Sequence, residues 1–425
     1  MRVLVVGSGG REHALVWKIA QSPAVDALLA VPGSDAISAL ARCVPDVAAS
    51  DVDGITALAQ AEAIDLVVVG PEDPLALGLS DRLREVGIAT FGPSAAAARL
   101  EASKTFAKEF MQRHGIPTAG YKSFESLEEA CAHVREHPGP CVVKADGLAA
   151  GKGVAVCDST EGALEALREM MQDRRFGDAG DRVVIEERLL GEEASYYAIT
   201  DGERIVTLAA AQDHKRALDG DVGENTGGMG AYSPTPVVSE AVEKRILDEV
   251  VVPTIRGMAA DGHPYRGVLY VGLMIDEAGQ PQVIEFNVRF GDPETQPLML
   301  RMDGDLLPLL DGAAKGQLDE ANAVGWGEAA VCVVLASGGY PRSYPTGLAI
   351  TGLEEAAALE GVEVFHAGTR CTEDGFETAG GRVLGVCGRG ADVALARQRA
   401  YAACDRIAFA GMQLRRDIAM RALKR

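Results

Sequence analysis

The chain has 425 residues, 47% hydrophobic and 24% charged, an ordinary globular balance, and its length suits about three domains at roughly 150 residues each. A formal net charge of -21 excludes a nucleic-acid partner, which needs a basic face, and requires that any anionic ligand meet local clusters of Lys and Arg. No apolar run reaches the ~20 residues that cross a bilayer, and MRVLVVGSGG is too short for a signal peptide, so a cytoplasmic chain with no membrane partner is expected.

Residues 1–100 alternate strand and helix. RVLVVG reads as a buried strand and REHALVWKIAQS as a helix; DLVVVGPEDP is another strand, ending in a loop before the helix LSDRLREVG. Such alternation implies a parallel doubly wound sheet with ligands at the carboxyl ends of its strands. GSGGREH lies at one such end, ahead of a helix N-terminus that favours anions. It is not a dinucleotide fingerprint, because Glu12 stands where G-x-G-x-x-G needs its third glycine. A smaller phosphate ligand fits better.

From about residue 101 the pattern changes. EASKTFAKEFMQRHGIP predicts one helix closed by Gly115 and Pro117. Strand-like PCVVKADG and GVAVCD flank DGLAAGKG. This is not a P-loop: Asp146 replaces the first glycine, Gly153 follows Lys152, and a strand comes next. What remains is a flexible hairpin loop, with Lys144 on its entering strand, whose glycines let backbone amides approach a polyphosphate. RVVIEERLLGEEAS predicts a strand and a short linker, and AAAQDHKRALDGDVGENTGGMGAYSP a long glycine-rich candidate active-site loop. GVLYVGLMIDEAGQPQVIEFNV predicts a hairpin turning at residues 276–280. From about 327, strands EAAVCVVLAS and RVLGVCGRG and the helix DVALARQRAYAACDRI predict a closing α+β domain. The cysteines are scattered with no C-x-x-C pair, and Cys141, Cys157, Cys332 and Cys387 read as free core thiols.

VIEFNVRFGDPETQP, residues 283–297, ends the hairpin with unusual polar content. Strict alternation puts Val283, Glu285, Asn287 and Arg289 on one face and Ile284, Phe286 and Val288 on the other, core-facing one. A carboxylate and an amide oxygen two residues apart suit a hard divalent cation that leaves most of its coordination to nucleotide oxygens. A solvated edge strand with a turn at 291–293 is the plainer alternative.

Together these segments resemble the ATP-grasp ligases and, among them, the glycinamide ribonucleotide synthetase family. GSGGREHAL, KADGLAAGKGV, QDHKR, NTGGMGAYSP and RFGDPETQP stand in that family's order over essentially the whole chain. Glu224 departs from the family's usual proline, and Ser8 stands where asparagine also occurs. The resemblance implies an α/β and α+β multidomain fold. An N-terminal doubly wound parallel sheet would span 1–100, a central ATP-grasp fold 101–326 with a small lid subdomain at about 121–190, and a C-terminal α+β domain 327–425. It implies ATP-dependent ligation of glycine to 5-phosphoribosylamine in purine biosynthesis, through a glycyl phosphate, with Mg²⁺ or Mn²⁺, in a monomer.

Carried over residue by residue, the resemblance gives Lys104 and Lys144 to the ATP phosphates, with Gly151, Lys152 and Gly153 in the lid loop. Glu186, Glu187 and Leu189 belong to the linker that reads adenine, and Glu193 falls at the ribose. Glu285 and Asn287 match the metal ligands; Gly272 occupies the position where many relatives have another acid. Arg289 would stabilise the transferring phosphoryl and the glycine carboxylate, Asp292 would meet an amine, and Asp213 and Lys215 would contact substrate or nucleotide. Gly9, Gly10, Glu72 and Arg382 would serve the sugar phosphate. His214 reads as a hydrogen-bonded loop histidine rather than a base. Alternatives are another ATP-grasp carboxylate–amine ligase, a nicotinamide oxidoreductase resting on GSGGRE alone, and a nucleotide sensor, which should lack the Glu285 and Asn287 pair.

Overall fold

Five strands at the start of the chain, Arg2–Gly7, Ala27–Pro32, Arg42–Cys43, Leu66–Val69 and Ala89–Phe91, form a parallel sheet in the spatial order third, second, first, fourth, fifth. Val3, Leu4, Val5 and Val6 are all fully buried, as a strand covered on both faces requires. The strand order reverses beside the first strand, and helices Gly10–Ile19 and Glu72–Ala76 begin at the crevice this opens. This computed structural model describes residues 1–148 and 153–424.

The single helix expected from EASKTFAKEFMQRH is two, Ala95–Ala102 and Lys104–His114. Ser103 divides them: its backbone is extended (φ -136°, ψ 111°) and its hydroxyl accepts from the Phe106 amide, capping the second helix. Gly115 closes that helix in the left-handed region, φ 66°, as expected.

Strands Tyr121–Phe124, Val183–Glu187, Cys141–Ala145 and Val154–Cys157 make a small antiparallel sheet, in that spatial order, backed by helices Leu127–Glu136 and Thr160–Leu167. A second antiparallel sheet runs Ile205–Thr207, Glu192–Thr200, Gly267–Ile275, Pro281–Asn287. Its last pairing is bulged: Gly272 faces Glu285 and Leu273 faces Val283, which leaves Ile284 without a partner. The extra residue corrects the alternation expected from the sequence. Val283 joins Phe286 and Val288 in the core, while Ile284, Glu285, Asn287 and Arg289 line a cleft.

Ala329–Ala336, Arg382–Gly390 and Val362–His366 form the closing sheet, covered by helix Val393–Cys404. This sheet also takes two strands from the long glycine-rich segment, Gln212–Asp213 and Gly230–Ser233. The segment is therefore tied to the last domain at both ends. Cys157, Cys332 and Cys387 are free and buried, and Cys141 is free and half-buried. No helix among the described residues is long and apolar enough to cross a membrane.

Candidate functional site

A cleft of ≈ 720 Å³ opens where the small sheet, the bulged sheet, the N-terminal crevice and the closing sheet face one another. Its residues divide into a lysine-rich end and an arginine-rich end.

At the first end, Lys144 Nζ donates to the Ile284 carbonyl at 2.8 Å. It also lies 2.9 Å from Glu186 Oε1, an ion pair off the hydrogen-bond direction. The other Glu186 oxygen pairs with Lys108 Nζ at 3.0 Å, and Lys108 also donates to the Thr118 hydroxyl at 2.8 Å. These three buried side chains carry one surplus positive charge in the cleft wall, which an anion would compensate. Burial pushes the Lys108 ammonium down to about 8 against the pull of Glu186. Lys104 donates to the Gly147 carbonyl at 2.9 Å; burial lowers its pKa while Glu285 opposes. Asp146, at the stem of the hairpin loop, accepts from the Thr105 amide at 3.1 Å and the Ser103 hydroxyl at 3.2 Å, so the loop's stem is fastened to the helix that carries Lys104.

Gly151 and Lys152 lie outside the described residues. Gly153 and Leu189 line the cleft, while Glu187 Oε2 accepts from the Gly120 amide at 3.2 Å. Glu186, expected as part of a backbone reader, has a buried side chain with a job of its own. Lys108 was not expected; its signal was the four-residue spacing from Lys104 on one helix face.

In the middle, Lys215 Nζ lies 3.1 Å from Glu285 Oε1 and 3.4 Å from Glu193 Oε2. This ammonium, more than burial, sets the Glu285 carboxyl, holding it down at about 2. Burial raises the buried Asp213 carboxyl, against the opposing pull of Lys215. Glu285 and Asn287 offer two hard oxygen donors, one ionised, and the cation already drawn to Glu285 is a lysine; this donor set fits a divalent ion. A Cβ on Gly272 would stand 3.0 Å from Glu285 Cγ, so glycine here is room for that side chain. Among the described residues no three acidic, histidine or cysteine side chains converge as a metal cage, so further ligands would be nucleotide oxygens. Unexpectedly, Glu294 floors the site, accepting from Tyr270 at 2.8 Å and Ser195 at 3.2 Å.

At the second end, Arg289 is gripped by Glu72 at 3.1 Å and Glu101 at 3.0 Å. Burial works against the Glu72 anion, yet Arg289 and Arg11 hold its carboxyl at about 2. Burial raises Glu101 to about 7 despite the same arginine. Arg11 pairs with Glu12 Oε1 at 2.5 Å, and Glu12 Oε2 accepts from the Gly9 amide at 2.7 Å. The Gly9 amide is therefore occupied, which corrects its expected use for a phosphate. Gly10 packs on Gln296, where a Cβ would come within 2.9 Å of Nε2. Arg382 and Asp292 meet at 3.0 Å.

His214 is a correction as well. It is buried with no protein partner for either ring nitrogen, and burial followed by Arg421 and Arg415 lowers it to about 3, so it stays neutral.

Comparison with known proteins agrees with this layout. Models of the phosphoribosylglycinamide synthetase family match most of the chain: the N domain over residues 1–101, the ATP-grasp (A) domain over 102–295 and the C domain over 330–421. A phosphoribosylamine–glycine ligase of Vibrio vulnificus is 52% identical over 100% of this chain and 99% of its own. A crystal structure of phosphoribosylamine–glycine ligase from Thermotoga maritima superposes with a TM-score of 0.85 at 34% identity, covering 99% of this chain and 100% of that one. A biotin carboxylase domain from Hydrogenobacter thermophilus, TM-score 0.75 at 15% identity over 97% of this chain and 91% of that one, shares the fold alone.

Proposed function

The chain belongs to the phosphoribosylglycinamide synthetase family, and from this premise we infer that it is the ATP-dependent ligase joining glycine to 5-phosphoribosylamine in purine biosynthesis. Glycine attacks ATP to give glycyl phosphate and ADP, and the ribosylamine nitrogen then displaces phosphate to form the amide. The single observation that best supports this reading is a cleft with a lysine wall at one end, Glu285 and Asn287 in its middle and Asp292 at the other end.

The first step brings two anions together, glycine's carboxylate and the γ-phosphate. Lys104, Lys144 and Arg289 supply the offsetting positive charge, fixed before the substrates arrive. Glu285 and Asn287 would hold Mg²⁺, with Mn²⁺ as a substitute; the ion would neutralise phosphate charge as it develops. The linker residues Glu187 and Leu189 would read adenine beside Glu186, and Glu193 the ribose. The loop from Asp146 to Gly153 would exclude water while the acyl phosphate survives. In the second step Asp292, held ionised, accepts an N–H of the incoming amine, while Asp213 and Lys215 contact the glycine and nucleotide side. Glu72, Arg382 and the Gly10 turn frame the sugar phosphate. Domain divisions near residues 100 and 326 suit this division of labour. The reading takes the enzyme as a cytoplasmic monomer; light scattering with a dimeric mass would refute the monomer.

A phosphate-release assay tests the activity: release should require both glycine and freshly made phosphoribosylamine. Glycine labelled with ¹⁸O in its carboxylate should pass label to inorganic phosphate. Unlabelled phosphate would rule out carboxylate activation, and another acid or amine outperforming the pair would point to a different ligase.

A further inference from the structure

The Asp292 carboxylate is held from both sides. Oδ1 accepts from Gln296 Nε2 at 2.8 Å, and Oδ2 accepts from Arg382 Nη2 at 3.0 Å. Arg382 Nη1 donates to two backbone carbonyls, Asp292 at 2.7 Å and Gly227 at 2.7 Å. Three of the guanidinium's five N–H groups are thereby spent on protein acceptors. Gly227 makes the approach possible, since a Cβ there would sit 3.0 Å from Arg382 Cζ. The Gly227 amide in turn donates to the Tyr340 hydroxyl at 3.1 Å. Arg382 opens a strand of the closing sheet, Gln296 lies on the helix Thr295–Arg301, and Gly227 belongs to the glycine-rich segment. One arginine of the last domain therefore knots together two loops of the central one.

The charged surroundings of Asp292 are Arg382, Arg11 and Arg289, with the Gln296 amide; Glu294 is the anion facing the same arginines. Burial opposes ionisation, but the three cations and the amide outweigh it and keep the carboxyl below its ordinary range. Each carboxylate oxygen has one lone pair engaged and another open, and Asp292 lines the cleft.

We propose that Arg382 and Gln296 are positioning residues, which hold the Asp292 carboxylate in one orientation and in its ionised form for the incoming amine. This rests on the reading above that Asp292 meets an amine. It assigns Arg382 a different task from direct phosphate contact. A guanidinium fork can hold Oδ2 and two carbonyls at once, whereas a lysine ammonium in its place supplies charge without that geometry.

The test is the pH profile of kcat and of kcat/KM for phosphoribosylamine, from pH 3 to 9, in the full chain carrying Arg382→Gln, Arg382→Lys or Gln296→Leu. With Arg382→Gln, loss of a cation raises the Asp292 pKa, so the acid limb moves to higher pH by about one unit and part of the activity returns at high pH. Gln296→Leu moves the limb in the same direction by less. Arg382→Lys returns the limb toward wild type but leaves kcat at least about tenfold low. KM for ATP stays within about twofold, since the nucleotide end is untouched. An unmoved acid limb in Arg382→Gln overturns the proposal; if it comes with a phosphoribosylamine KM raised about thirtyfold, Arg382 contacts the phosphate directly. Should Arg382→Gln fail to fold, an unmoved limb in Gln296→Leu overturns it equally. Asp292→Asn separates the premise: wild-type turnover in that variant removes the amine reading itself, whatever the arginine variants do.

Discussion

The two ends of the cleft manage charge in opposite ways. At the nucleotide end Lys108 and Lys144 share one carboxylate, Glu186, while Lys104 donates to the Gly147 carbonyl, and Lys104 and Lys144 keep donors to spare. At the amine end Arg11, Arg289 and Arg382 are met by Glu12, Glu72, Glu101 and Asp292, and their guanidinium forks are largely consumed. Lysine is a point charge that turns toward whatever anion arrives, while arginine's rigid fork fixes the groups around it. One end is left under-neutralised and suits a polyphosphate. In the other, three guanidiniums face four carboxylates, of which Glu101 is raised to about 7, and the arginines serve as a frame that sets the protonation of these acids.

The strongest way to break this comparison lies between the two ends. Glu285→Ala should lower kcat at least about a thousandfold, roughly 4 kcal/mol of transition-state stabilisation, while the lysine wall still binds ATP. Near-normal turnover would show that the reaction does not use this carboxylate.

The next largest effect sharpens the nucleotide side. Lys144→Met should weaken ATP binding about thirtyfold by calorimetry, near 2 kcal/mol, with the acid limb of the pH profile unmoved. Unchanged ATP affinity would reduce Lys144 to a buried ion-pair partner.

On the arginine side, Glu101 should register in stability. Its carboxyl is raised from 4.5 to about 7 in the fold. The folded chain therefore binds more protons than the unfolded one between these values, and stability falls as pH rises through them, by about 1 to 3 kcal/mol. Glu101→Gln should remove that slope. Urea unfolding at pH 5 and pH 8 measures it; an identical wild-type slope in the variant would refute the assignment.

The smallest effect belongs outside the cleft. Glu224 pairs with Arg342 at 2.7 Å and lies 3.7 Å from Arg175, and both arginines are well exposed. Such pairs contribute about 0 to 1 kcal/mol, so Glu224→Ala should change the ATP KM less than about threefold. A larger change would make this departure from the family's proline part of the site.

What could be read in advance follows from the range of each interaction. The hairpin that delivers Glu285, the strand that carries Lys144 and the Gly115 helix stop are written in local pattern, and each was legible. Ser103 as a cap, and Glu12 three residues beyond Gly9, were also local, in the spacing of a capping arrangement, and passed unread. Glu186 between Lys108 and Lys144, and Glu72 and Glu101 on Arg289, join segments far apart in the chain, which no spacing rule reaches. The bulge at Ile284 had no mark within VIEFNV, because its register is set by the opposing strand.

That bulge bears on how the site withstands mutation. In a regular ladder the Ile284 carbonyl would be committed to the neighbouring strand; unpaired, it receives the Lys144 ammonium. A backbone oxygen is indifferent to the side chain beside it, so no substitution at 284 short of one that reshapes the strand takes this acceptor away. Deleting the residue does. Val283 and Glu285 would then alternate normally across the sheet, each keeping its face, and the strand would pair without interruption. The lysine alone would lose its acceptor. This half of the contact is thus shielded from point mutation and open to a single-codon loss, whereas the Glu186 half is exposed to both.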